Sequence, residues 1–121
     1  MKTTNESYNV QIWLGLKNIV TNEECPIQKI EDYIQFHCDK IGECVTITPT
    51  RFIYTKGNEN GVVIGYINYP RFPKDKQVIE DNAVALAKEL MMLANQCRVT
   101  VTTPENTYMF SNYEMINQIE Y

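Results

Sequence analysis

The chain has 121 residues, 44% hydrophobic and 21% charged, enough for one domain with a real core and too few for two. Its net charge is −4, from 11 Lys+Arg against 15 Asp+Glu, so it lacks the basic footprint that would neutralise long nucleic acid. No apolar run reaches the length of a membrane span, and no leader pattern opens the chain, which makes the cytosol the expected compartment.

In chain order, residues 10–16 (VQIWLGL) read as a first strand, with Gly15 a candidate bulge. Thr21 to Glu24 then supply capping oxygens and acidic charge ahead of Pro26, a good first helical residue. From there Ile27, Ile30, Ile34, His37, Cys38 and Ile41 recur at helical spacing until Gly42 ends the run. Residues 44–48 and 51–55 make either a strand pair or one strand kinked at Pro49. A polar reversal follows at 56–61 (KGNENG), and residues 62–69 return as a strand that is apolar on both faces. The two strands around this turn should form an antiparallel hairpin.

The second helix starts near Asp75. Ile79, Ala83, Leu86, Ala87, Leu90, Leu93 and Ala94 form its stripe, widened by Val84, Ala85, Met91 and Met92. That extra width asks for a second packing partner, such as another subunit, and a homo-oligomer is expected. Residues 98–103 are a strand, 104–106 a turn, 107–110 a short last strand, and 113–121 a short helix. The order β-α-β-β-α-β-β describes one α+β domain over residues 1–121, with two main helices on a largely antiparallel sheet.

Little in the chain supports nucleophilic or metal chemistry. The four cysteines, Cys25, Cys38, Cys44 and Cys97, show no C-x-x-C spacing and are expected as free thiols. Zinc held by Cys25, His37, Cys38 and Cys44 is disfavoured because structural zinc prefers close ligand pairs on a turn. His37, the one histidine, falls on the apolar stripe of the first helix and reads as a satisfied core residue. No cofactor or metal is expected, and no catalytic residue stands out.

A binding constellation does converge. In INYPRFPKD (67–75), Arg71 and Phe72 stand between Pro70 and Pro73, just before a helix amino terminus that favours an anion. Arg71 offers a planar fork for phosphate oxygens, and Phe72 a face for a base. Asn82, near the helix start, has a carboxamide able to pair with an adenine edge. The bland alternative makes Phe72 a hydrophobic staple, Arg71 a solvated side chain and Asn82 a surface amide.

The ordered set of residues 67–73 (INYPRFP), a helix carrying Asn82, and the strand RVTVTTP (98–104) resembles the phage-encoded anti-Thoeris sponge family over essentially the whole chain. The resemblance implies a viral immune-evasion protein in the host bacterial cytoplasm. It would bind the glycocyclic ADP-ribose signal of TIR-domain Thoeris enzymes and withhold it without cleavage. It also implies ligand-binding roles for Phe72, Asn82 and Arg71, with Trp13 as a second stacking face. Some members bind cyclic oligonucleotides separately in a hexamer, and Arg98 and then Arg51 match that role. Dimeric or hexameric assembly is therefore expected. The competing readings are an enzyme that degrades a cyclic nucleotide signal and a phage protein-interaction module.

Overall fold

Val10, Ile12 and Leu14 are fully buried while their neighbours Gln11, Trp13 and Gly15 are not, a period of two that makes β1 (Val10–Gly15) a one-sided strand. In the computed structural model, which describes residues 1–114, the further elements are α1 (Ile27–Ile41), β2 (Val45–Tyr54), β3 (Gly57–Tyr66), α2 (Lys76–Leu93), β4 (Arg98–Thr102) and β5 (Thr107–Ser111). Among the described residues the strands form one five-stranded sheet in the order β2-β3-β1-β4-β5, with every neighbouring pair antiparallel. The expected α+β order is thus present. Its first six elements have the split β-α-β connectivity of ferredoxin-like folds, and β5 extends the β4 edge.

Both helices cover one face. Ile12, Leu14, Val62, Ile64, Val99 and Val101 point from the sheet into a core closed by Ile30 and Ile34 of α1 and by Ile79, Ala83, Leu86, Ala87 and Leu90 of α2. At about 1.5–3 kcal/mol for each fully buried large aliphatic side chain, this stripe-on-sheet burial dominates the stability of the domain. The other face carries Gln11, Trp13, Thr46, Thr48 and Thr100, and neither α1 nor α2 lies over it.

Of the two readings of residues 44–55 the single strand holds: residues 45–54 run through Pro49, because β2 is the sheet edge and proline's missing N–H costs no ladder bond there. Two other local expectations need correction. The turn is also far tighter than residues 56–61. Lys56 takes a left-handed backbone (φ 62°), and Gly57 already begins β3. The polar residues Asn58, Glu59 and Asn60 therefore belong to a hairpin arm that projects beyond the Gly15 end of β1, where Glu59 accepts the Lys17 N–H at 3.1 Å and Asn60 donates to Glu24 at 3.0 Å. Finally, β3 ends at Tyr66, and residues 67–75 form the connection into α2. As expected, β3 is interior, between β2 and β1. The helix expected over 113–121 falls mostly outside the described residues.

Gly42 closes α1 in the left-handed conformation (φ 76°), its N–H bonded to the Cys38 carbonyl at 2.8 Å. This sharp stop sends the chain back under the connection 67–75. The end of α1, the end of β3 and the start of α2 consequently meet at one corner of the molecule.

Candidate functional site

Two niches flank the amino-terminal turns of α2. The larger is a groove of about 820 Å³ lined by the segment Asn5, Glu6 and Tyr8 on one side and by Asn68 and residues 73–77 on the other. Such a volume lies within the usual range for small-molecule pockets. Asn68 ties the two walls together: its amide donates to the Glu6 carbonyl (2.9 Å) and its side-chain oxygen accepts the Lys74 N–H (3.1 Å). Asn5 donates to the Asn68 carbonyl at 3.3 Å.

Tyr8, only 7% exposed, contributes to the groove wall and donates its hydroxyl to Glu80 Oε1 at 3.1 Å. The other Glu80 oxygen accepts from the Tyr108 hydroxyl of β5 at 3.4 Å. Burial raises the Tyr8 hydroxyl above its ordinary value, against a lowering contact from Thr103, and the Glu80 carboxylate adds to the rise. The α2 amino terminus receives no side-chain cap from Asp75. Glu6 and Asp75 bring carboxylates to the groove and Lys76 an ammonium group, while Lys74, also in the lining, gives its ammonium to the Gly42 carbonyl at 2.9 Å, so the lining is mixed in charge rather than a cradle for anions alone.

On the opposite flank of α2 lies a closed polar cluster. The Glu43 side chain, 6% exposed, accepts from His37 Nε2 at 2.8 Å and from Asn82 Nδ2 at 3.3 Å. The Tyr66 hydroxyl is fully buried beside the Glu43 carboxylate. Burial, then the nearby Glu43 carboxylate, pushes that hydroxyl strongly up. Burial likewise raises the Cys38 thiol, with Glu43 the next cause, so Cys38 is held protonated and is a poor nucleophile.

The residues singled out from sequence fall into separate groups. Phe72 is half-buried, and its ring closes the small space above Glu43 and Tyr66. Arg71 is exposed, with its guanidinium 5.7 Å from the Phe72 ring centre. Asn82 reaches the same corner but is bonded to Glu43. Trp13 stands on the face of the sheet away from the helices and donates to Thr102 Oγ1 at 2.9 Å. Arg51 lies in the hairpin arm, bonded to Asn58 and, at 2.9 Å, to Asn60. Arg98 is exposed at the start of β4.

Phe72, Arg71 and Asn82 therefore share a corner that Trp13, Arg51 and Arg98 do not enter. Sequence reasoning missed Tyr8, Glu43, Glu80 and Asn68. Only Asn68 had a local signal, an amide next to the turn before Pro70. The others acquire their partners across 6 to 72 residues of chain.

No protein-family model matches the chain, and a search of curated proteins finds no match. Solved structures do match. A phage SAM lyase in complex with S-methyl-5'-thioadenosine superposes with a TM-score of 0.75 at 19% identity, covering 93% of this chain and 95% of that one. A phage SAM lyase in the apo state gives 0.74 at 21% identity with the same coverage. The shared fold is thus that of a phage enzyme and does not point to the anti-Thoeris family. This likeness corrects the expectation of a non-catalytic sponge for cyclic ADP-ribose.

Proposed function

We propose that this chain is an enzyme that cleaves a sulfonium nucleoside of the S-adenosylmethionine class and releases an S-methyl-5'-thioadenosine-type thioether. The observation that supports this reading is the fold shared across 93% of the chain with a phage SAM lyase that holds that thioether. The groove at the start of α2 is the place for the reaction. Its carboxylates, Glu6 and Asp75, suit ribose hydroxyls and a cationic sulfur, and the amides of Asn5 and Asn68 suit a purine edge. An acidic chain also fits a substrate that carries a net positive charge.

The chemistry explains why no nucleophile or base was legible. Sulfonium sulfur is already a good leaving group. When the bond from sulfur to the γ-carbon breaks, its electron pair returns to sulfur, and the substrate's own carboxylate oxygen can close on that carbon to give a lactone. The atoms balance without water, metal or an enzyme base. The protein then needs only to fold the substrate so that carboxylate and carbon meet, and to exclude water from the leaving group. Orientation of this kind supplies up to about 7–11 kcal/mol of a barrier.

Incubation with S-adenosylmethionine followed by chromatography tests the reading. The expected result is S-methyl-5'-thioadenosine accumulating in proportion to enzyme and time. Recovery of intact substrate after hours with stoichiometric protein would overturn it.

A further inference from the structure

The two walls of the groove differ in how they are fastened. One is made of Pro73 and the first turn of α2, backbone fixed by a proline ring and by helix formation. The facing wall, residues 5–7, precedes β1 and belongs to no strand or helix. Among the described residues its backbone forms no hydrogen bond with another backbone group, and Glu6 and Ser7 are exposed. Backbone held so lightly lies at the low-stability end of a fold. Tyr8 ends this freedom, because it is buried and its hydroxyl donates to Glu80 at 3.1 Å. Residues 5–7 are therefore a strap hinged at Tyr8.

Asn68 fastens the free end. Its Nδ2 donates to the Glu6 carbonyl at 2.9 Å, while Asn5 Nδ2 donates to the Asn68 carbonyl at 3.3 Å and reaches Asn68 Oδ1 at 3.5 Å. On its other side Asn68 Oδ1 accepts the Lys74 N–H at 3.1 Å, which anchors the carboxamide to the connection before α2. These partners fix which way the carboxamide points, since a carbonyl only accepts and a backbone N–H only donates. Every hydrogen bond that residues 5–7 make among the described residues goes to Asn68. A few neutral bonds of this kind are a modest tie, because each replaces a bond to water. The strap can open.

We propose that Asn68 is the clasp of this strap: opening of residues 5–7 admits a ligand to the groove, and closure makes Asn68 a positioning residue for the chemistry there. A ligand filling the groove touches both walls only while the strap is down, so its binding favours the closed form. Closure also expels water, the condition an intramolecular displacement needs. Clasping uses one of the two Asn68 amide hydrogens and leaves the other to a ligand. The positioning role rests on the sulfonium cleavage proposed above, whereas the clasp itself does not.

Asn68→Asp separates the two sides of the clasp. It keeps an acceptor for the Lys74 N–H but loses the donor to Glu6 and sets a carboxylate against the Glu6 carbonyl. The full chain is digested under native conditions with a Glu-specific endoprotease, and cutting of the Glu6–Ser7 bond is followed by mass spectrometry. Such rates track the open population. Asn68→Asp should be cut there about tenfold faster than the parent, and Asn5→Ala, which loses only the longer bonds, by a smaller factor. Saturating S-methyl-5'-thioadenosine should slow the cut in the parent, and failure to do so in an active parent would overturn the gating. With S-adenosylmethionine as substrate, Asn68→Asp should raise KM about tenfold and change kcat less. A smaller active fraction would instead lower kcat at unchanged KM, and that result would overturn the positioning role. Equal cutting of parent and Asn68→Asp would overturn the clasp whether or not turnover is seen. Faster cutting of Asn68→Asp in a protein without lyase turnover would keep the clasp and remove the proposed activity.

Discussion

Glu43 Oε1 lies 2.8 Å from His37 Nε2 across the Gly42 turn that ends α1, while Glu43 Oε2 holds Asn82 of α2 at 3.3 Å. One carboxylate therefore staples the end of one helix to the start of the other. Its removal leaves a histidine that is 8% exposed without its partner. Glu43→Ala should lower unfolding free energy by about 1–3 kcal/mol, the cost of unpaired buried polar groups. Glu43→Gln keeps an acceptor and should lose less. Urea midpoints at neutral pH check the order, and equal midpoints for both variants and the parent would refute it.

Tyr8 and Tyr108 both lean on Glu80, so the groove wall depends on that carboxylate. If the groove carries the lyase reaction, Tyr8→Phe should lower kcat/KM about tenfold while unfolding shifts little, since one hydrogen bond is lost and the ring stays. Glu80→Ala frees both hydroxyls and should cost more. Initial rates of thioether release at varied substrate concentration decide this, and unchanged rates in both variants would move the reaction elsewhere.

Alkaline pH should unfold the protein partly through Tyr66. Its hydroxyl is raised from the ordinary 10.0 by burial and then by Glu43. A folded-state value above the unfolded one means that the folded state holds the proton more tightly. Stability from this group is therefore full below about pH 10 and falls as pH rises beyond it. Tyr66→Phe should flatten that alkaline fall. Denaturant midpoints measured between about pH 8 and 11 would show it, and parallel curves for variant and parent would contradict the assignment.

Gly61 tests the packing of the hairpin on β1. A methyl group there would run into the Phe52 ring and come within 2.6 Å of the Leu14 carbonyl oxygen. The ring can swing aside, but a ladder carbonyl cannot. Gly61→Ala should therefore destabilise by about 1–3 kcal/mol, as overpacking does. Gly42→Ala meets no atom within 4 Å and instead carries the strain of φ 76°. Thermal unfolding of the two variants separates steric from backbone cost, and an unperturbed Gly61→Ala protein would show that the strands can part.

Pattern alone determined the architecture. The stripes through Ile30 and Ile34 and through Ile79, Ala83, Leu86 and Leu90, and the period-two burial of Val10, Ile12 and Leu14, are local consequences of 3.6- and two-residue repeats. They can be read without knowing what they pack against. His37 as a satisfied, buried histidine was legible for the same reason. The long arm of β2 and β3 was not, because Asn58, Glu59 and Asn60 read as a turn until a cross-strand partner exists for each of them. Tertiary structure alone decided the site. Glu43 looks like one surface acid after a helix until α2 and β3 bury it beside Asn82 and Tyr66, and Glu80 looks like an exposed helical charge until Tyr8 and Tyr108 arrive from opposite ends of the chain. The sequence records the chemical character of these groups, but whether a carboxylate is solvated or enclosed depends on neighbours up to 72 residues away, and that is settled only when the sheet closes.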